Sequence, residues 1–189
     1  VFNFCLENKI KLIYSATSAS LGNKGLDKNL SPYAFTKAKN LEYLENLKRW
    51  FNFKYEVIYF YNVYGPGQIS KGKMATVIGI FEEAFKKNEP LPVVLPGTQS
   101  RRFTHIDDTV NVCYLAWKKN LSRHYSISNK QSFSILEVAR MFKSKIKYHK
   151  KRPGERYSSA LTNMNLSNKV YRYFGKIKLR DYIYNLIKN

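Results

Sequence analysis

Lys11-Leu12-Ile13-Tyr14-Ser15, Ser31-Pro32-Tyr33-Ala34-Phe35-Thr36-Lys37 and the run from Tyr55 to Tyr61 decide the fold. The first and third are short β-branched and aromatic runs bounded by polar residues, the pattern of buried strands. The second opens a helix. Ser31 is placed to cap it, and Pro32 takes the first helical position, where a missing N–H costs nothing. Leu41, Leu44, Leu47 and Phe51 follow at helical spacing, so this helix is expected to reach about Asn52. Strand, helix, strand in that order is the repeat of a parallel α/β sheet.

The same pattern extends outward. Asn62-Val63-Tyr64-Gly65-Pro66-Gly67 ends the second strand, and Val77, Phe81, Ala84 and Phe85 mark one face of a helix. Leu91 to Leu95 reads as a strand before the Pro96-Gly97 turn. Asp107 is placed to cap a helix with Val110, Cys113, Tyr114 and Trp117 on its inner stripe, and His124 to Ile127 is strand-like. Ser134-x-x-Glu137 is a capping box, with Phe133 and Val138 as its hydrophobic staple. Two further helices are expected, over about 166–174, stopped by Gly175, and over about 179–188. The fold class is α/β, and the weaker alternation in the second half indicates a smaller appended lobe.

Composition narrows the function classes. Hydrophobic residues make up 44% of the 189 and aromatics 15%, enough for a packed core rather than a disordered chain. No run of about 18 apolar residues spans a membrane. Cys5 and Cys113 stand far apart without partners at metal-ligand spacing, as expected of buried thiols in a reducing cytoplasm, and no metal site is expected. The net charge of +20 admits an anionic partner. Its basic residues are scattered, with the tightest cluster at Tyr148-His149-Lys150-Lys151-Arg152, and no nucleic-acid-binding motif is present. The abundance of Lys, Asn, Ile, Tyr and Phe reads as compositional bias, so no nucleic acid is expected as a partner.

Tyr33-x-x-x-Lys37 carries the chemistry. Spacing of i and i+4 puts both side chains on one helix face, one turn apart. An ammonium beside a phenol stabilises the phenolate, a general base able to deprotonate a substrate hydroxyl.

Five motifs occur in order: Leu12 to Gly22, Ser31 to Lys37, Tyr61 to Gly67, Gly97-Thr-Gln-Ser-Arg-Arg-Phe-Thr-His-Ile-Asp-Asp108 and Arg152-Pro-Gly-Glu155. Together they resemble the extended short-chain dehydrogenase/reductase family, specifically its nucleotide-sugar epimerase and dehydratase members. The resemblance covers about residues 10–165. It implies a C-terminal part of a Rossmann-like parallel sheet over residues 1–68 and about 100–128. A small α/β substrate-binding lobe is implied over about 69–99 and 129–189.

The implied roles are specific. Thr17 matches the catalytic Ser or Thr that hydrogen-bonds the reacting hydroxyl. Tyr33 and Lys37 match the base and its activator, and Lys37 would also hold the nicotinamide ribose of NAD. Ser15 ends the strand near that cofactor. Asn62 and Arg101 match residues that bind the substrate diphosphate, and a guanidinium fork suits that task. Arg152 would meet phosphate and Glu155 the nucleoside. The implied partner is a nucleotide-diphosphate sugar.

Departures from the family pattern are Tyr59 where an arginine is usual, Arg102 where Arg-Asp-Phe is usual, and the region of Asn163 where an aspartate is usual. Ser18-Ala19 follow Thr17 in place of the acid–base pair a dehydratase needs to remove water. A glutamate for decarboxylation and a suitably placed cysteine for double epimerisation are also lacking. Epimerisation leads, with C4 the leading position and a reductase or 6-epimerase left open.

None of the nine glycines forms the Gly-x-x-Gly-x-x-Gly cofactor cradle. The family layout implies roughly a hundred residues ahead of Lys11 that carry it. The chain is therefore expected to be N-terminally truncated and inactive alone, cytoplasmic, and a homodimer when full length. The alternative expectation is an inactive or partner-binding remnant.

Overall fold

The computed structural model describes residues 1–18, 29, 31–72, 74–150 and 170–188. Its contacts divide the chain into two compact units. The first gathers described residues from Val1–Phe60, Thr109–Ile127 and the stretch ending at Tyr173; the second gathers Tyr61–Asp108, the residues from Ser128 onward and those from Phe174.

The first unit is built on a four-stranded sheet. Its strands are β1 (Leu12–Thr17), β2 (Tyr55–Phe60), β7 (His124–Ser128) and β10 (Val170–Phe174), in the order β1-β2-β7-β10. β1, β2 and β7 run parallel, with Leu12 facing Tyr55 and Val57 facing His124. A short helix, α1 (Phe2–Glu7), leads into β1, and α2 (Pro32–Phe51) connects β1 to β2. The helix α4 (Ile106–Lys119) precedes β7. Side chains alternate across a strand. Ile13 and Ile58 pack with Val112 and Ala116 of α4, whereas Tyr14, one residue out of phase, lies under Lys37 of α2. The two helices thus cover opposite faces of the sheet.

α2 starts and stops as its sequence dictates. The Ala34 N–H donates to the Ser31 hydroxyl across 3.1 Å, Pro32 occupies the first position, and Asn52 closes the helix in the left-handed conformation at φ 52°. Glu56 is fully buried in β2 and compensated there. It pairs with Lys11 at 3.0 Å and accepts from the Ser122 and Arg123 N–H groups at 2.9 and 2.7 Å.

The second unit holds α3 (Val77–Lys86), α5 (Ile135–Met141), α6 (Leu179–Lys188) and three two-stranded ladders among its described residues. Parallel β3 (Val63–Tyr64) joins β6 (Thr104–His105), and parallel β4 (Leu91–Val94) joins β9 (Ile146–His149). β5 (Ser100–Arg102) runs antiparallel to β8 (Ser132–Ser134). Phe81, Leu91, Val93, Phe103, Val138 and Phe142 fill its core. The Ser134–Glu137 capping box is present in full.

Three readings of the sequence need correction. Asp107 does not cap α4: the helix starts at Ile106, so Asp107 lies inside its first turn. Val110, Tyr114 and Trp117 are not the inner stripe of α4: all three are more than half exposed. The buried stripe is the smaller Val112 and Ala116, which lets the helix backbone lie close to the sheet; Lys11 reaches the Ala116 carbonyl at 3.4 Å. Residues 170–174, expected as helix, form β10. Val170-Tyr171-Arg172-Tyr173-Phe174 has the β-branched and aromatic makeup of a strand. Tyr171 and Tyr173, two apart and so on one face, both stack on Tyr125, at 5.5 and 6.3 Å between ring centres.

No helix among the described residues is long and apolar enough to cross a membrane.

Candidate active site

Four of the expected residues lie in the first unit, where α2 begins against the end of β1. Tyr33 and Lys37 stand one turn apart on α2, and Tyr33 is 54% exposed, so a ligand can reach its phenol. The Lys37 ammonium donates to the Ser15 carbonyl oxygen at 2.9 Å and sits 5.2 Å from the centre of the Tyr14 ring. Ser15 therefore enters the site through its backbone, and Thr17 closes the same strand two residues on. An ammonium has three N–H donors, so this anchor leaves Lys37 able to serve a further acceptor. The Tyr14 phenol is buried, and burial raises its pKa above the ordinary phenol value, with Tyr33 nearby adding to that.

Asn62 and Arg101 lie in the second unit and line one cavity of about 390 Å³. That volume falls within the range of small-molecule sites. Thr76, Val77, Gln99 and His149 contribute to the same wall. Asn62 has φ 37°, in the left-handed region that asparagine tolerates, and its side-chain amide donates to the Arg102 carbonyl at 2.7 Å. That bond joins the residue ahead of β3 to β5. Arg101 pairs with Phe133 across the β5–β8 ladder, and its guanidinium donates to the Ser100 carbonyl at 2.8 Å. Val77 opens α3, so the first turn of that helix forms part of the cavity wall. The lining offers a guanidinium, amides and a helix start to an anionic ligand.

Arg152 and Glu155 lie outside the described residues, as does Asn163. Tyr59, where the family pattern has arginine, is a buried strand residue whose hydroxyl is 3.0 Å from Nδ1 of His124. Thr76, Gln99 and His149 were not singled out from the sequence. Thr76, ahead of the apolar Val77-Ile78 start of α3, and Gln99, beside Arg101, carried usable signals. His149 carried none, because only the β4–β9 ladder brings it there. No group of three metal-ligating side chains occurs among the described residues.

The parallel sheet and the tyrosine–lysine pair at the start of α2 define a Rossmann-like α/β protein of the short-chain dehydrogenase/reductase kind. The sequence profile of the NAD dependent epimerase/dehydratase family matches residues 1–128, and the chain belongs to that family. It is 32% identical over 133 residues to a Methanocaldococcus jannaschii protein provisionally assigned as a UDP-glucose 4-epimerase, covering 68% of this chain and 43% of that one. It is 29% identical over 156 residues to the ADP-L-glycero-D-manno-heptose-6-epimerase of Brachyspira hyodysenteriae, covering 76% of this chain and 49% of that one. The UDP-glucuronic acid 4-epimerase of Bacillus cereus, solved with UDP-glucuronic acid and NAD, superposes with a TM-score of 0.80 at 26% identity. That match covers 99% of this chain and 64% of the other. The chain thus spans about half the length of the curated relatives it matches.

NAD is the cofactor of this family. The residues in hand fit one end of it: Lys37 is anchored with donors to spare, beside the exposed phenol of Tyr33. The pyrophosphate end asks for a glycine cradle that none of the nine glycines forms.

Proposed function

We propose that this chain supplies the catalytic and substrate-binding part of an NAD-dependent nucleotide-sugar epimerase acting at C4. The observation that carries the reading is the exposed Tyr33 phenol one turn from an ammonium that is itself fixed to the end of β1. Tyr33 Oη takes the proton from the sugar hydroxyl and returns it after the keto-sugar has turned. Lys37 keeps a positive charge one helical turn from that phenol and holds the nicotinamide ribose. Thr17 Oγ1 hydrogen-bonds the reacting hydroxyl. NAD, when bound, accepts the hydride from the sugar carbon and gives it back to the opposite face. Asn62 and Arg101 grip the diphosphate in the second unit's cavity, with Arg152 on phosphate and Glu155 on the nucleoside. The exposed Tyr43 and Trp50 of α2 favour a homodimer for the complete enzyme.

A second reading is a protein that binds nucleotide sugars without turnover. One experiment separates them. The chain is joined to the part of the Methanocaldococcus relative that it does not cover and given NAD with UDP-glucose, UDP-glucuronic acid or ADP-heptose. Epimerisation of a UDP-sugar at C4, lost in Tyr33→Phe, supports the proposal. Turnover of ADP-heptose alone moves the reaction to C6. A folded chimera that binds NAD and nucleotide sugar but turns over none leaves the second reading standing.

A further inference from the structure

A hydrogen-bonded chain runs from the cavity wall into the body of the second unit. The Thr76 hydroxyl accepts from the Gly79 N–H at 3.0 Å, capping α3, and donates to Oε1 of Gln68 at 2.8 Å. Nε2 of Gln68 donates to Oε1 of Glu82 at 2.8 Å, and the Tyr182 hydroxyl of α6 donates to that same oxygen at 2.8 Å. Thr76 lines the cavity; Gln68, Glu82 and Tyr182 do not.

The polarity of this chain is set at one end. A carboxylate only accepts, so Glu82 can face the NH₂ side of the Gln68 amide but not its oxygen. That choice turns Oε1 of Gln68 toward Thr76. The single Thr76 proton then points at Gln68, and its oxygen accepts from the Gly79 N–H. With Gln68 reversed, its NH₂ would face the hydroxyl and the Thr76 proton would lose its acceptor. The loop has little room to adjust. Ile69 accepts from the Thr76 N–H at 2.9 Å, and a Cβ on Gly79 would lie 2.6 Å from the Ile69 carbonyl oxygen.

We infer that Glu82 is a positioning residue for the nucleotide pocket: through Gln68 it fixes the Thr76 hydroxyl that holds the first turn of α3 in the cavity wall. The inference rests on the nucleotide-binding reading above. Glu82 touches no ligand and acts only through the two residues between it and the wall.

The test is calorimetric titration of UDP into the full chain. Glu82→Leu and Gln68→Leu weaken binding about tenfold, a cap's worth of free energy. Glu82→Gln, which keeps an acceptor oxygen, stays within about twofold of the parent. Tyr182→Phe lowers the melting temperature but leaves UDP affinity unchanged, because Gln68 still meets its carboxylate. A purely structural role would instead make affinity follow stability across all four. Folded Glu82→Leu binding UDP as tightly as the parent overturns the inference, and if that variant does not fold, Gln68→Leu decides. A parent chain that binds no UDP removes the nucleotide reading, and this inference with it.

Discussion

Lys37 reaches back from the second turn of α2 to donate to the carbonyl oxygen of Ser15, 2.9 Å away. The contact fixes where the positive charge stands relative to the Tyr33 phenol, since both ride on one helix. Lys37→Met is therefore expected to lower kcat of the NAD-bound chimera by about 10²- to 10⁴-fold, the range for losing an acid–base function. Lys37→Arg does not restore it, because a larger planar guanidinium presents its donors in a different geometry from the compact ammonium that meets the Ser15 carbonyl. Steady-state kinetics of the two variants check this. Activity close to that of the parent in Lys37→Met removes the lysine from the mechanism.

Arg101 is expected to act by charge and by fork geometry together. Arg101→Ala should weaken UDP binding by about 1.5–3 kcal/mol, the worth of a charge-assisted hydrogen bond. Arg101→Lys recovers only part. Parent binding should also weaken as salt rises, and that slope should flatten in Arg101→Ala. Titrations at two salt concentrations measure both effects.

Glu56 lies fully buried among Lys11 and two backbone N–H groups. Glu56→Ala strands all three partners and should cost about 3–5 kcal/mol in urea unfolding. Loss of less than about 1 kcal/mol would show that water replaces the carboxylate there.

Glu82 gives a pH signature. Burial raises its carboxyl above the usual range, against the hydrogen bond from Tyr182, the charge of Lys86 and the hydrogen bond from Gln68. A raised carboxyl stabilises the fold fully below the ordinary carboxylate pKa, and that contribution is lost as pH rises through its folded value. Glu82→Gln does not titrate. Its stability relative to the parent should therefore increase as pH rises above the ordinary carboxylate range. Thermal melts across that range test the sign. Together with the near-normal UDP affinity expected of Glu82→Gln, they separate the stability cost of the carboxylate from its positioning role.

The outward stripe on α4 makes a further prediction. Tyr114→Ser and Trp117→Lys should change the stability of this chain by no more than about 0.5 kcal/mol, as surface substitutions do. A buried stripe would lose about 3–5 kcal/mol on truncation of Trp117. Urea unfolding distinguishes the two without reference to activity.

Much of the site was legible in the residues themselves. Ser31-Pro32 announced the start of α2, and the i, i+4 spacing put Tyr33 and Lys37 on one face. Asn62 and Arg101 were identified by motif, 39 positions apart in sequence, and both line the same cavity. The Lys37 anchor was not legible, because its acceptor is the backbone of Ser15. Nor was the Thr76–Gln68–Glu82–Tyr182 chain: its members span more than a hundred positions, and none belongs to a motif.

Local sequence determined which segments are helix and strand wherever capping and periodicity agreed, as at α2, α3 and the Ser134 box. Those signals act within one or two turns, so the chain carries them whatever it packs against. Tertiary structure decided what depends on a distant surface. α4 turned its small residues inward because Ala116 has to lie close to the sheet, and residues 170–174 became a strand because two tyrosines could stack on Tyr125. It also brought His149 to the cavity wall through the ladder with β4. A period of apolar residues states that a face is buried, but only the partner surface selects which face it is.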